Sequence, residues 1–498
     1  MWKPPEKIKY QTIKAPWPDQ DQAHMSVLFS PLTKGRLQLQ SRSWIPAMVP
    51  WRAEVSGHVT SDVLSWYKRF AQGQPGAIVV EATGIRDVPS GSLLRINEDA
   101  HVDGLKSLVE TVRTASDGQT KIFIQLIDFL PIKRRPQKER FLSDYLKITS
   151  QHRKALAMED VSDEYIRDYL LNSPDDALLK ILTPREWQDL QFGHRVVVTD
   201  THLPEIRDLP SILPPAFARA AARAVAAGFD GVELHFAHAY TMASFLSRLN
   251  NRQDGYGGNL QNRLRLPLDV LHAVRAAVPQ EFCVGARLLT DEIIDGGSDV
   301  SDAVYFAEHL TRAGLDFLSF SRGGKFEDAK QPRAGEAAYP YTGESGYECM
   351  PQIFSDKIGP FGRNQNNVSK IKTHLMAQGL DVPVVLAGGM HHFAQAEKCL
   401  RDGDADIIGF ARQALADPDW FVKVRTGRGD DVRLCTYSNY CEGLDQKHKM
   451  VTCQLWDRQD LDAPDVVLTR DGKRRTIAPA WGGSAPQIEN TRLIIILE

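Results

Sequence analysis

Three things are scarce in this 498-residue chain, and each scarcity excludes a class of protein. Cysteine is the first: six residues in 498 are too few for the disulfide framework of a small secreted domain. Long apolar runs are the second, since no uninterrupted stretch of about 18 apolar residues exists to cross a membrane. The N-terminus, Met1-Trp2-Lys3-Pro4-Pro5-Glu6-Lys7, has charges with no apolar run behind them, unlike a secretory signal. The third is an excess of one charge: a formal net charge of −3 argues against a general nucleic-acid binder. A Gly-x-Gly-x-x-Gly after an early strand is missing too, which weighs against a Rossmann domain. What is present, 42% hydrophobic and 25% charged residues, is the composition of a soluble globular protein, expected in the cytoplasm.

The length suits one large domain with insertions or two to three ordinary ones. Eight short apolar runs punctuate it, at 44–49, 77–80, 122–126, 231–234, 283–287, 317–321, 383–389 and 405–410. Most lack alternation, as in strands of a parallel sheet covered on both faces. Helical patterns at 61–72, 105–115, 214–227, 261–278, 300–313, 369–378 and 393–401 separate them. This β-then-α repetition predicts an α/β fold, and eight units predict a TIM barrel. Residues 1–27 read as an extended arm, 28–427 as the barrel and 428–498 as a small C-terminal extension. Residues 130–208 and 325–366 are too long for plain crossovers and are expected to lie as lids over the catalytic face.

The fourth run ends in His235-Phe236-Ala237-His238-Ala239-Tyr240. One reading is a packed histidine followed by a tyrosine that opens a helix. A His pair can also hold a metal, but no Glu completes a His-Glu-x-x-His helix here. A third reading has two imidazole N–H groups holding a carbonyl oxygen as negative charge develops on it, with Tyr240 as proton donor.

Leu234-His235-Phe236-Ala237-His238-Ala239-Tyr240, followed by Phe245-Leu246-Ser247, Asn251-Arg252, Asp254-Gly255-Tyr256-Gly257-Gly258 and Asn262-Arg263, resembles the central motif of the old yellow enzymes, FMN-dependent TIM-barrel oxidoreductases. The resemblance runs in order from about Leu28 to Arg425. It implies that His235 and His238 bind the electron-withdrawing group of the substrate and that Tyr240 protonates it. Gln125 and Arg287, polar residues ending buried strands, suit the edge of a flavin, which needs hydrogen bonds and a nearby cation. They match family flavin contacts, as do Ala47, Met48 and Ala82. The phosphate is expected after the seventh and eighth strands, at Gly388, Gly389, Ala411 and Arg412, with help from Gly323 and Gly324. Trp51 falls where an aromatic lines the substrate pocket. Asp128 replaces a histidine common among relatives and is expected to alter the pocket floor, and Val49 should tune the flavin. The basic run Lys133-Arg134-Arg135, with Lys138 and Arg140, could be a solvated loop or grip a phosphate-bearing acyl-CoA.

Cys435, Cys441 and Cys453 resemble the iron–sulfur segment of the trimethylamine dehydrogenase and 2,4-dienoyl-CoA reductase branch. Ser438 stands at the second of its four cysteines. A [4Fe-4S] cluster normally takes four thiolates, so a metal at these three is in question. Too few residues follow Cys453 for a further flavin domain, so electrons are expected from NAD(P)H or a separate redox protein. The expected activity is reduction of the C=C bond of an α,β-unsaturated carbonyl or thioester. The rivals are an amine or N-methyl dehydrogenase serving a redox partner, and a non-catalytic flavin-binding subunit. Expected partners are a small substrate and further copies of the chain, with no nucleic acid and no membrane.

Overall fold

The computed structural model describes residues 14–324, 326–339, 343–348, 361–464 and 466–482. Residues 1–13 of the expected arm, part of the second insertion and residues 483–498 lie outside the described residues. Eight parallel strands close a barrel: β1 (Ser43–Ile45), β2 (Ala77–Gly84), β3 (Lys121–Ile127), β4 (Gly231–Phe236), β5 (Cys283–Leu289), β6 (Phe317–Ser321), β7 (Val384–Ala387) and β8 (Ile407–Gly409), which pairs back onto β1. Seven helices pack between them: α1 (Ser61–Ala71), α2 (Val102–Ala115), α3 (Leu209–Ala227), α4 (Leu260–Ala277), α5 (Val300–Arg312), α6 (Gln365–Ala377) and α7 (Phe393–Arg401). No helix among the described residues is long and apolar enough to cross a membrane.

The lower end of the barrel is plugged by aromatic rings. Trp44, Phe123 and Phe317 meet inside it with ring centroids 5.0–5.5 Å apart. Gly231 and Gly285 make room: a Cβ on the first would lie 2.7 Å from the Phe123 ring, and one on the second would strike Phe317. An antiparallel hairpin, Leu32–Lys34 with Leu37–Leu39, packs Leu32, Leu37 and Leu39 into the same apolar cluster. With that end sealed, polar side chains higher in the barrel face only the carboxyl end of the strands.

Two strand ends differ from the sequence expectation, and both differences shape the site. The first run, expected as strand to residue 49, is strand only to Ile45. Pro46 brings no N–H to a ladder, so Pro46–Val49 become loop and line the cavity above. The fourth strand runs on to Phe236, so His235 stands on the strand itself.

The first insertion has its own small core, with Leu142, Ile166, Leu170, Leu178 and Leu190 nearly or fully buried. Its basic run mostly ties the two insertions together. Arg134 donates to the Gly335 carbonyl at 3.0 Å, and Arg135 donates to that of Pro332 at 2.7 Å. Lys138 pairs with Asp175 at 3.0 Å, and of these cations only Arg134 lines the cavity.

The C-terminal extension shares the barrel's core rather than forming a detached tail. Val451, Trp456 and Ala478 are buried in it. Arg52, fully enclosed over the Trp66 ring, donates to the carbonyls of Val451 at 3.0 Å and Thr476 at 2.5 Å. Arg69 grips Asp419 with both terminal nitrogens and also reaches the Ala478 carbonyl at 3.0 Å.

Candidate active site

A cavity of about 570 Å³ opens at the carboxyl end of the barrel. Strand register sets its floor. Gln125 on β3 faces Glu233 on β4, and its amide donates to the Glu233 carboxylate at 2.6 Å. One layer higher, His235, Arg287 and Ser319 are neighbours on β4, β5 and β6, and Arg287 donates to the Ser319 hydroxyl at 2.9 Å. A bulge in β2 between Val80 and Ala82 breaks the alternation. Glu81 turns outward to the Tyr67 hydroxyl of α1 while Ala82 lines the cavity.

Beyond Phe236 the chain makes an unusual turn. His238 and Ala239 both adopt left-handed backbone, at φ 59° and 61°, a conformation costing of order 1 kcal/mol per non-glycine residue. The turn brings the His238 ring 5.2 Å from that of His235, and places Tyr240 5.7 Å from His235. His238 Nε2 and the Ser321 hydroxyl lie 2.6 Å apart, while Phe129 packs edge-on against Tyr240. Gly324 leaves space for this turn, since a Cβ there would sit 3.1 Å from His238 Cα.

The electrostatics follow from burial. Loss of solvent and the Arg287 cation push His235 down to about 3, and His238 falls well below its ordinary value for the same reasons and because of His235. Both rings are therefore neutral at physiological pH, and each carries a single N–H. Nδ1 of His235 is buried without a partner among the described residues. Burial holds the Tyr240 phenol protonated, reinforced by the carboxyls of Asp445 and Glu442. Two neutral donors and an un-ionised acid thus share one wall.

Most residues singled out in the sequence line this cavity: Ala47, Met48, Val49, Trp51, Ala82, Gln125, Arg287, Gly388, Gly389, Ala411 and Arg412 join the two histidines and Tyr240. Two do not. Gly323 lies outside the lining and is held by packing, because a Cβ there would collide with the Ser345 carbonyl. Asp128 also lies off the cavity, its buried carboxylate paired with Arg86 at 2.5 and 2.9 Å.

Cys435, Cys441 and Cys453 come near one another in the extension. Among the described residues no three His, Cys, Asp or Glu side chains converge as a metal site. Cys435, Cys441 and Cys453 are thiols pushed up by burial, and Cys435 Sγ accepts the Tyr437 N–H. Ser438, at the position of the second cysteine, is exposed, with its hydroxyl 3.4 Å from the Tyr440 N–H. The residues present do not fit a four-ligand cluster.

Other lining residues escaped the sequence reading. The short helix Tyr440–Asp445 brings Cys441, Glu442 and Asp445 to the cavity, and His448 follows. Asp445 accepts the Trp51 indole N–H at 2.5 Å, and His448 stacks on Trp51 with centroids 4.0 Å apart. Arg322, Arg363 and Glu348 gather at the opposite end, with Glu348 bridging the two arginines at 2.5 and 2.8 Å. No spacing in the chain links these distant segments. Ser321 was readable, since Ser319 and Ser321 alternate along β6 and alternate residues share a face.

For a flavin the cavity offers Gln125 and Arg287 below, small residues Ala47 and Ala82 alongside, and the paired glycines Gly388 and Gly389 at its end. Both glycines have left-handed backbone, at φ 124° and 69°, allowing close approach of main-chain N–H groups. The residues fit the group.

Known proteins share this barrel. The model of the NADH:flavin oxidoreductase / NADH oxidase family matches residues 27–170 and 213–431. NADH oxidase of Thermoanaerobacter brockii is 26% identical over 421 residues, covering 84% of this chain and 53% of the relative. The chain thus spans about half the length of that relative. A 2-naphthoyl-CoA reductase complex superposes with a TM-score of 0.61 at 19% identity, over 86% of this chain and 56% of the other. Histamine dehydrogenase from Rhizobium sp. 4-9 gives 0.58 at 22% identity, over 86% and 52%. At these identities the superpositions speak for the barrel alone. The family match, spanning the strands that carry the two histidines, Tyr240, Gln125 and Arg287, goes further: this chain belongs to the NADH:flavin oxidoreductase / NADH oxidase family.

Proposed function

We propose that the protein is an FMN-dependent reductase of the C=C bond in α,β-unsaturated carbonyl compounds, with NAD(P)H as reductant. Bound FMN would supply the hydride to the β-carbon. His235 and His238 hold the carbonyl oxygen between two neutral imidazole N–H donors, which gain strength as negative charge builds there in a water-poor site. Tyr240 delivers the proton to the α-carbon, a role that suits an acid kept un-ionised by burial. Arg287 and Gln125 would meet the flavin's polar edge and favour its reduced, anionic form. The observation that carries this reading is the left-handed turn at His238 and Ala239, which sets two neutral imidazoles and one phenol on a single wall.

One observation favours a second reading, an amine dehydrogenase: Glu442 and Asp445 line the same cavity and could attract an ammonium group. Burial raises both carboxyls above their ordinary range, and the two oppose each other's ionisation, which weakens that attraction. Anaerobic turnover with NADPH and cyclohexenone separates the readings. The proposal expects saturated ketone and NADP⁺ in equal amounts. Oxidation of amines without enone reduction would favour the alternative.

A further inference from the structure

Behind Tyr240 lies a second cavity of about 180 Å³, which shares Phe129, Leu130, Ile132, Tyr240 and Phe326 with the main one. Arg195 stands in its wall and is only 3% exposed. Nε and Nη1 of its guanidinium are buried with no hydrogen-bond partner, and no carboxylate among the described residues comes within ion-pair distance. Among the described residues its guanidinium packs on the face of Phe326, 5.0 Å from the guanidinium carbon to the ring centroid. The charged groups around it are Glu327 and Asp189, which attract it, and Arg185, which repels it.

A buried guanidinium without hydrogen bonds is costly, because the solvation of its N–H groups is lost and nothing in the protein replaces it. Phe326 satisfies the flat face of the cation but none of its in-plane donors. Such a side chain persists where a ligand completes it, and the planar N–H fork matches a carboxylate best. Local structure holds it in place: Arg195 forms an antiparallel bridge with Ile132, joining the two ends of the first insertion beside the Tyr240 turn. It lies in the stretch between the two segments matched by the family model.

We infer that this second cavity is a carboxylate subsite, and that the substrate is an unsaturated carbonyl compound carrying an acid group read by Arg195. The carbonyl end follows from the function proposed above; the acid end rests on Arg195 and its cavity. A substrate seated this way reaches past Tyr240, with its carbonyl oxygen between the histidines and its carboxylate on the guanidinium.

Calorimetric titration of the full-length protein tests this without turnover. The probes are cyclohexanones bearing a terminal carboxylate on side chains of one to four methylenes, each beside its methyl ester. At least one acid should bind about tenfold or more tightly than its ester, the range of a charge-assisted hydrogen bond. Arg195→Met should erase that preference, and Arg195→Lys, with charge but no fork, should keep part of it. Equal binding of every acid and ester by the wild type, or a preference that survives in Arg195→Met, overturns the inference. Should Arg195→Met not fold, the wild-type comparison and Arg195→Lys still decide. Enone reduction without acid preference sinks this subsite alone; acid preference without enone reduction sinks the ene-reductase reading alone.

Discussion

His235 and His238 owe their chemistry to desolvation. A histidine pushed down to about 3 stays neutral around physiological pH, so its N–H remains a donor without bringing a full charge. With the two cavity carboxyls that titrate in the same window removed, as Glu442→Gln/Asp445→Asn, binding of a saturated cyclic ketone should be flat between about pH 5 and 9, and a fall of more than a few-fold in that variant would show that an imidazole titrates there. Tyr240→Phe should keep ketone affinity and lower kcat for enone reduction about 10²–10⁴-fold, the usual contribution of a positioned acid. Glu442 and Asp445 carry the opposite signature. Their folded pKa values lie above their unfolded ones, so the folded state binds more protons and stability falls as pH rises from about 4 toward neutrality. Because the buried neutral histidines carry the opposite linkage, the readout is the difference between variant and wild type: Glu442→Gln should raise the thermal unfolding midpoint more at about pH 8 than at about pH 5. A difference that shrinks over that window would contradict the buried placement of the pair.

Single elements explain how much of the site could be read before folding. The β4 turn was legible because its polar residues follow a buried strand within six positions, and the ends of β3 and β5 were legible for the same reason. Gly323 answers to a distant segment. Its neighbour Gly324 does face the His238 turn, but Gly323 itself is required by the Ser345 backbone in the short helix Glu344–Tyr347. Gly323→Ala should thus destabilise by about 2 kcal/mol or more through left-handed strain and collision, with a lowered unfolding midpoint and unchanged ligand preference. Asp128 was misread because its neighbour on the page, Gln-Leu, hides its true partner, Arg86, 42 positions away. The helix Tyr440–Asp445 was not legible because Cys441 resembles a metal ligand, while its carboxyls acquire meaning only against Trp51 and Tyr240.

At the scale of the whole molecule, barrel and extension share one core. A chain ended at Arg425 would lose Val451, Trp456 and Ala478 from the core and the Tyr440–Asp445 wall of the cavity. Such a truncation should be insoluble or free of flavin, and a folded, yellow truncate would show the extension to be dispensable. The arrangement of Cys435, Cys441 and Cys453, with Ser438 turned to the surface, predicts less than one iron per chain in anaerobically purified protein. Four iron with matching acid-labile sulfide would overturn that. The central claim is that the His235–His238 pair clamps a carbonyl while hydride arrives. Rapid anaerobic mixing of chemically reduced, FMN-loaded protein with cyclohexenone reads that step directly, as reoxidation of the flavin. The wild type should reoxidise at least about 10²-fold faster than the His235→Ala/His238→Ala variant, the cost of removing such donors. Equal rates, with FMN bound to both proteins, would contradict the account.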